Sequence, residues 1–131
     1  DMDTKDKEPE HSQYHKLKVK YAKPIDKSKK GIYCEVEFFE THRCTELFFL
    51  YYFRYTSRPY ETQEPLLKDL NQCVEYRKIK TKGLHDYFER NGGSLEKAVA
   101  NANRSMDEKL KSGRDYTYSE LGRLIEKLGS I

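Results

Sequence analysis

Two segments near the start of the chain, 16–22 and 32–38, alternate between apolar and polar side chains. The apolar positions are Leu17, Val19 and Tyr21 in the first segment and Ile32, Cys34, Val36 and Phe38 in the second. An alternation with period two is typical of β-strands that bury one face. A polar connection that contains Pro24, Asp26 and Gly31 separates the segments. The pattern therefore predicts a β-hairpin with strands near Lys16–Ala22 and Ile32–Phe39.

Charge suggests one register for this hairpin. If opposed residue numbers sum to 53, Leu17 faces Val36 and the neighbouring Lys18 faces Glu35. Apolar side chains then meet apolar ones, and opposite charges meet across the strands, as cross-strand energetics favours.

The segment Thr45–Thr56 is apolar on both faces if it forms a strand. Its aromatic residues favour a third strand, although a buried helix is the alternative because the region 32–58 contains no glycine or proline. As a strand, it would place Phe48, Leu50 and Tyr52 on the sheet face opposite the helices. An exposed aromatic row of this kind is typical of a contact surface.

Helical periodicity follows this segment. A helix is expected from about Pro65 to Val74, a short one over 84–90, a long one capped by Ser94 and ended by Gly113, and a last one that opens with a capping box at Thr117. The expected fold class is α+β, with an N-terminal antiparallel β-meander of about three strands followed by three or four α-helices packed on the sheet.

The chain of 131 residues suits one domain. Residues 1–13 contain a single apolar side chain, so they are expected to form a flexible charged tail, and residues 14–131 a single α+β domain. No run is long enough for a transmembrane segment. The chain starts at Asp1 rather than Met; a cytoplasmic location is slightly favoured, and an exported mature chain stays open.

Lysines cluster although the net charge is only +3. Seven lysines and one acid, Asp26, lie within 16–30, and a second cluster lies within 77–82. The candidate nucleic-acid-binding residues are Lys23, Lys27, Lys29, Lys30, Arg77, Lys78, Lys80 and Lys82. Lysines neutralise phosphates and nearby tyrosines stack on bases, so these clusters indicate a nucleic-acid-binding, regulatory protein as the second hypothesis.

Residues for catalysis are not arranged in a recognisable pattern. The four histidines belong to no spaced ligand set, and the three cysteines include no Cys-x-x-Cys pair. We therefore expect no enzyme, no catalytic or metal-binding residues, no cofactor and no small-molecule substrate. The first hypothesis is a small non-catalytic interaction module that binds itself or another protein through Phe48, Leu50 and Tyr52.

Short segments resemble a known family. Glu37-Phe38-Phe39-Glu40, Tyr51-Tyr52 and Met106-Asp107-Glu108-Lys109 resemble parts of the RteC family, which are DNA-binding regulators of bacterial conjugative elements. The resemblance implies a helical 32–58 region, against the alternation of the sequence, so no residue role is transferred from it. It adds weight to the nucleic-acid hypothesis.

Overall fold

A computed structural model describes residues 1–76 and 82–129. The chain divides into two compact units. The N-terminal unit comprises Thr4–Phe38, and the main unit comprises Asp1–Asp3 together with Phe39–Ile131.

The N-terminal unit contains one helix and one hairpin. Helix α1 spans Glu10–Lys20, and strands β1 (Ile25–Lys27) and β2 (Ile32–Cys34) flank a 3₁₀ turn over Ser28–Lys30. The strand expected near Lys16–Ala22 is therefore wrong. The glutamate, glutamine and lysine residues of α1 favour a helix, and the alternating apolar residues have no sheet to pack on, since Val19 is 64% exposed.

A β-hairpin is present in this part of the chain, but its first strand and its register differ from those predicted. Ile25 pairs with Cys34, Asp26 with Tyr33 and Lys27 with Ile32, so opposed residue numbers sum to 59 rather than 53. Strand β1 is formed by residues that the sequence pattern assigned to the connection, and β2 covers only the first three residues of the predicted second strand. Gly31 ends the 3₁₀ turn at φ +70°, a conformation that glycine adopts without steric cost.

The main unit is built from five helices and one short ladder among its described residues. The helices are α2 (Glu46–Tyr51), α3 (Gln63–Cys73), α4 (Leu84–Arg90), α5 (Leu95–Ser112) and α6 (Leu121–Gly129). Strands β3 (Thr41–His42) and β4 (Tyr118–Ser119) pair antiparallel. The hydroxyls of Thr41 and Ser119 lie 2.9 Å apart and join the two strands through a hydrogen bond.

Helix α2 lies at the centre of the main unit, where the sequence favoured a strand over Thr45–Thr56. Its side chains are buried nearly all round, with Leu47, Leu50 and Tyr51 fully buried. A segment that is apolar on every side can be a strand covered on both faces or a helix surrounded by other helices. Here the surrounding helices include α3 and α5.

The later helices follow the sequence prediction closely. Helix α4 has the expected bounds, Ser94 caps α5 by accepting a hydrogen bond from the Lys97 N–H at 3.2 Å, and Gly113 ends α5 in the left-handed conformation. The capping box at Thr117 is wrong, because α6 begins at Leu121. Thr117 instead precedes β4 at φ +51°.

The fold class is mixed α and β, with small antiparallel sheets and six α-helices in the residues that the structure describes. The expected meander is only partly matched, because two of its three segments contain helices and the third is a strand only over Ile32–Cys34, and the six helices exceed the three or four expected. The first residues also differ from a flexible tail. Met2 is buried, and its N–H donates to the Thr41 carbonyl at 2.9 Å.

In residues 1–76 and 82–129, no helix combines the length and the apolar character needed to cross a membrane.

Candidate nucleic-acid interface

The hairpin of the N-terminal unit presents the first lysine cluster to solvent. Lys27 is the last residue of β1, and Lys29 and Lys30 follow in the 3₁₀ turn. Lys23 lies shortly before β1, and all four side chains are exposed. The hairpin therefore gathers three lysines within its tip and holds them on an ordered backbone.

The one acid of this cluster is held by the turn. The Asp26 carboxylate accepts a hydrogen bond from the Ser28 N–H at 3.0 Å, which fixes the start of the 3₁₀ turn. This hydrogen bond gives Asp26 a structural role within the hairpin. The tip keeps a net positive charge, since three lysines outnumber this one carboxylate.

An exposed aromatic ring lies beside the tip. Tyr33 is 62% exposed and stands opposite Asp26 in the ladder. Its hydroxyl donates to the Glu35 carboxylate at 2.8 Å, and this hydrogen bond raises the pKa of Tyr33. The phenol is neutral at physiological pH, so its ring can stack on a base without repelling the phosphates.

Helix α1 carries further lysines, which the sequence pattern placed on a strand. Lys16 and Lys18 belong to this helix, so they do not stand opposite Glu37 and Glu35 as cross-strand neighbours. The Lys18 ammonium lies 5.4 Å from the centre of the Tyr14 ring. That ring in turn contacts Phe38 edge to face, with 5.7 Å between the ring centres.

The structure describes one basic residue of the second lysine cluster, Lys82. Arg77, Lys78 and Lys80 lie outside the described residues, and Lys82 is exposed. In the main unit, Lys82 lines a surface cavity of about 340 Å³ together with Glu75, Asp86 and Arg90. The cavity walls thus combine both signs of charge at the residues that are described.

The predicted protein-binding face is not exposed. Phe48 is 5% exposed, Leu50 is fully buried and Tyr52 is 6% exposed. All three belong to the apolar core of the main unit, because α2 replaces the expected strand. The Tyr52 hydroxyl reaches His85 Nδ1 at 3.0 Å, which satisfies a polar group at the edge of the core. These residues therefore stabilise the fold and do not form a sheet surface.

Potential metal ligands are dispersed. Among the residues of 1–76 and 82–129, no three histidine, cysteine or acidic side chains gather closely enough to hold a metal ion.

Comparison with known proteins identifies a family for the chain. The family model described as RloB-like protein matches residues 1–128, nearly the whole sequence. The chain belongs to the RloB-like family. This is a different family from the RteC regulators whose short segments it resembles.

The other two comparisons give no relative. No curated protein and no solved structure matches the chain significantly.

Sequence reasoning identified the lysines of the interface but not their arrangement. The pattern assigned Lys27, Lys29 and Lys30 to a loop, whereas the structure places them within the hairpin itself. The available signal was Asp26, because an aspartate side chain can accept a hydrogen bond from the backbone N–H two residues on and so form an Asx turn. Tyr33 is one of the tyrosines near the first lysine cluster, and the structure places it in the same hairpin as these lysines.

Proposed function

We propose that this RloB-like chain is a non-catalytic module that binds single-stranded nucleic acid through the hairpin of its N-terminal unit. The observation that carries the proposal is the exposed hairpin, which contains Lys27, Lys29 and Lys30 together with the exposed side chain of Tyr33. Lys23 extends the same cluster on the strand side.

The chemistry of the tip suits a flexible strand better than a duplex groove. Lysine ammonium groups neutralise phosphates at any sequence, and an exposed tyrosine ring stacks on any unpaired base. Arginine, asparagine and glutamine, whose planar side chains read base edges with two hydrogen bonds, are absent from 23–33. We therefore expect binding with little sequence preference and a strong dependence on salt.

The first prediction concerns the three lysines of the tip. The combined variant Lys27→Gln, Lys29→Gln and Lys30→Gln should weaken binding to a single-stranded oligonucleotide, because three phosphate contacts are lost. The plot of log K against log salt should become less steep by about 2, from a slope of about −0.7 per phosphate contact. Fluorescence anisotropy between low and moderate salt measures both quantities.

A control with the same charge change is available in the main unit. Lys97, Lys111 and Lys127 are exposed on α5 and α6, so their combined replacement by glutamine removes three charges at a distance from the hairpin in sequence. This control should keep the affinity and the slope of the parent. Equal loss in both triple variants would show that net charge, and not the hairpin, governs binding.

Binding of a protein partner stays a prediction without an assigned surface, because Phe48, Leu50 and Tyr52 are buried.

If the single-stranded oligonucleotide does not bind even at low salt, the proposal of nucleic-acid binding is wrong.

A further inference from the structure

A further group of cationic side chains, which belongs to neither lysine cluster, lies in the main unit beside the start of α3. Arg58 and Lys68 line a surface recess of about 490 Å³, together with Thr62, Glu64, Asp69 and Gln72. The sequence pattern gave Arg58 and Lys68 no functional role. Arg58 follows the aromatic segment Thr45–Thr56, and Lys68 lies on the polar side of a predicted helix.

The Arg58 side chain is held in place from one side. Its Nη1 donates to both oxygens of Asp69, at 3.4 and 3.2 Å. Its guanidinium lies 5.3 Å from the centre of the Tyr60 ring, a cation–π contact. Tyr60 is itself fixed, because its hydroxyl donates to Asp69 at 2.5 Å.

The backbone of Arg58 is fixed as well. Its N–H donates to the Thr56 hydroxyl at 3.1 Å, and its carbonyl accepts a hydrogen bond from the Thr117 hydroxyl. The backbone is thus held at Arg58, and the contacts with Asp69 and Tyr60 orient the guanidinium before any ligand arrives. Pre-organisation of this kind lowers the entropy lost on binding.

The guanidinium still has donors to offer. Among the residues that the structure describes, the Nε and Nη2 groups of Arg58 have no hydrogen-bond partner, and the side chain is 55% exposed. Adjacent N–H groups of a guanidinium match two oxygens of a phosphate. Asp69 does not neutralise the site, because it is shared with Arg54, whose Nη2 lies 3.6 Å from the carboxylate.

We propose that this recess binds a phosphate group, with Arg58 and Lys68 as its cationic ligands. The recess is lined by two cations, Arg58 and Lys68, and two carboxylates, Asp69 and Glu64, and Arg54 adds a third cation at the Asp69 carboxylate. The hydroxyl of Thr62 and the amide of Gln72 line the same recess and supply further donors. The proposal is independent of the hairpin function, since every residue belongs to the main unit.

The test is isothermal titration of the full chain with inorganic phosphate at constant ionic strength. Arg58→Ala should weaken phosphate binding at least tenfold and Lys68→Ala several-fold, while Glu64→Gln should tighten it by removing a repelling charge. Arg123→Ala is the matched control, because Arg123 is equally exposed and also pairs with an acid, Glu120. It should bind phosphate as the parent does.

Lys68→Ala and Glu64→Gln keep the test decisive if Arg58→Ala disturbs the fold, because both residues are exposed on α3. Absence of phosphate binding, or equal affinity in these variants and the parent, would overturn the proposal and leave the cluster with a purely structural role.

A parallel titration identifies the source of the phosphate. A short oligonucleotide with a 5′-phosphate is compared with the same oligonucleotide without it, both in the background of the three hairpin substitutions. A gain from the 5′-phosphate that Arg58→Ala removes would assign the site to nucleic-acid ends. No gain, with inorganic phosphate still bound, would assign it to small phosphates.

Discussion

The side chain of Glu108 links distant parts of the main unit through hydrogen bonds. Its carboxylate accepts hydrogen bonds from the Tyr55 hydroxyl at 2.5 Å and from Arg114 Nη1 at 2.8 Å. Arg104 Nε donates to its other oxygen at 3.0 Å. The hydrogen bond from Tyr55, followed by those from the two arginines, lowers the pKa of Glu108 to about 2. The connection before β4 is thereby tied to α5 and to the segment after α2.

This network predicts a dependence of stability on pH. The folded pKa of Glu108 is depressed below its ordinary value of 4.5. Its stabilising contribution is therefore complete above about 4.5, declines as the pH falls towards 2, and is absent below that. Glu108→Gln should lower the free energy of unfolding at pH 7 by about 1–2 kcal/mol, a modest value because a third of the side chain is exposed.

Urea unfolding at several pH values measures this contribution. The difference between the parent and Glu108→Gln should be largest at pH 7 and should shrink at pH 3. Asp107→Asn is the control, because Asp107 is an exposed neighbour on the same helix. A difference that stays constant with pH would show that the Glu108 charge does not stabilise the fold.

At the scale of an element, the position of α2 in the core can be tested by a substitution at Phe48. Phe48 is surrounded by the core, with its ring 5.9 Å from the ring of Tyr52. Phe48→Glu should therefore prevent folding or cost more than about 3 kcal/mol, since it buries a charge without a partner and removes a large apolar side chain. Circular dichroism and urea unfolding report the result.

Leu17→Glu is the comparison for this variant, because Leu17 is 46% exposed on α1. It should fold as the parent does. If Phe48→Glu were instead a stable folded monomer, the core position of α2 would be wrong and an exposed aromatic face would return as the better interpretation.

The packing of α6 on α5 depends on a glycine. A β-carbon at Gly122 would lie 2.8 Å from Asn103 Oδ1, 3.0 Å from the Val99 carbonyl and 3.1 Å from the Ala102 β-carbon. Because the carbonyl belongs to helix backbone, the two helices would have to separate. Gly122→Ala should thus destabilise the protein by about 1–3 kcal/mol, in spite of the better helix propensity of alanine.

Gly129 on the same helix provides the control, since a β-carbon there meets nothing within 4 Å. Gly129→Ala should leave the urea midpoint unchanged or raise it slightly. A Gly122→Ala variant as stable as the parent would show that α5 and α6 pack less closely than the structure indicates.

At the scale of the whole molecule, the two proposed sites differ in the interactions that hold their side chains in place. The hairpin holds its lysines by local backbone geometry, with Asp26 bonded to Ser28 within the turn. The recess at Arg58 depends on residues far apart in sequence, since Thr117 and Asp69 both contact the segment 58–60. Local support was accessible to sequence reasoning in principle, whereas long-range support was not.

The candidate interface was therefore predicted in its composition but not in its geometry. Counting charges found Lys23, Lys27, Lys29 and Lys30, because charge is a property of the sequence. The register was missed because an alternating apolar row forms a strand only when a sheet covers it, and Leu17 and Val19 have none. The helical state of 10–20 removed those residues from the hairpin.

The sequence by itself determined the bounds of α4 and the two ends of α5. Ser94 and Gly113 bound α5, and Asn91 closes α4, through hydrogen bonds and backbone conformations that involve near neighbours. The tertiary structure decided the state of 45–56, because a segment apolar on every side satisfies either a covered strand or a central helix. Only the elements packed around it, brought together from distant positions, distinguish the two, and they select the helix.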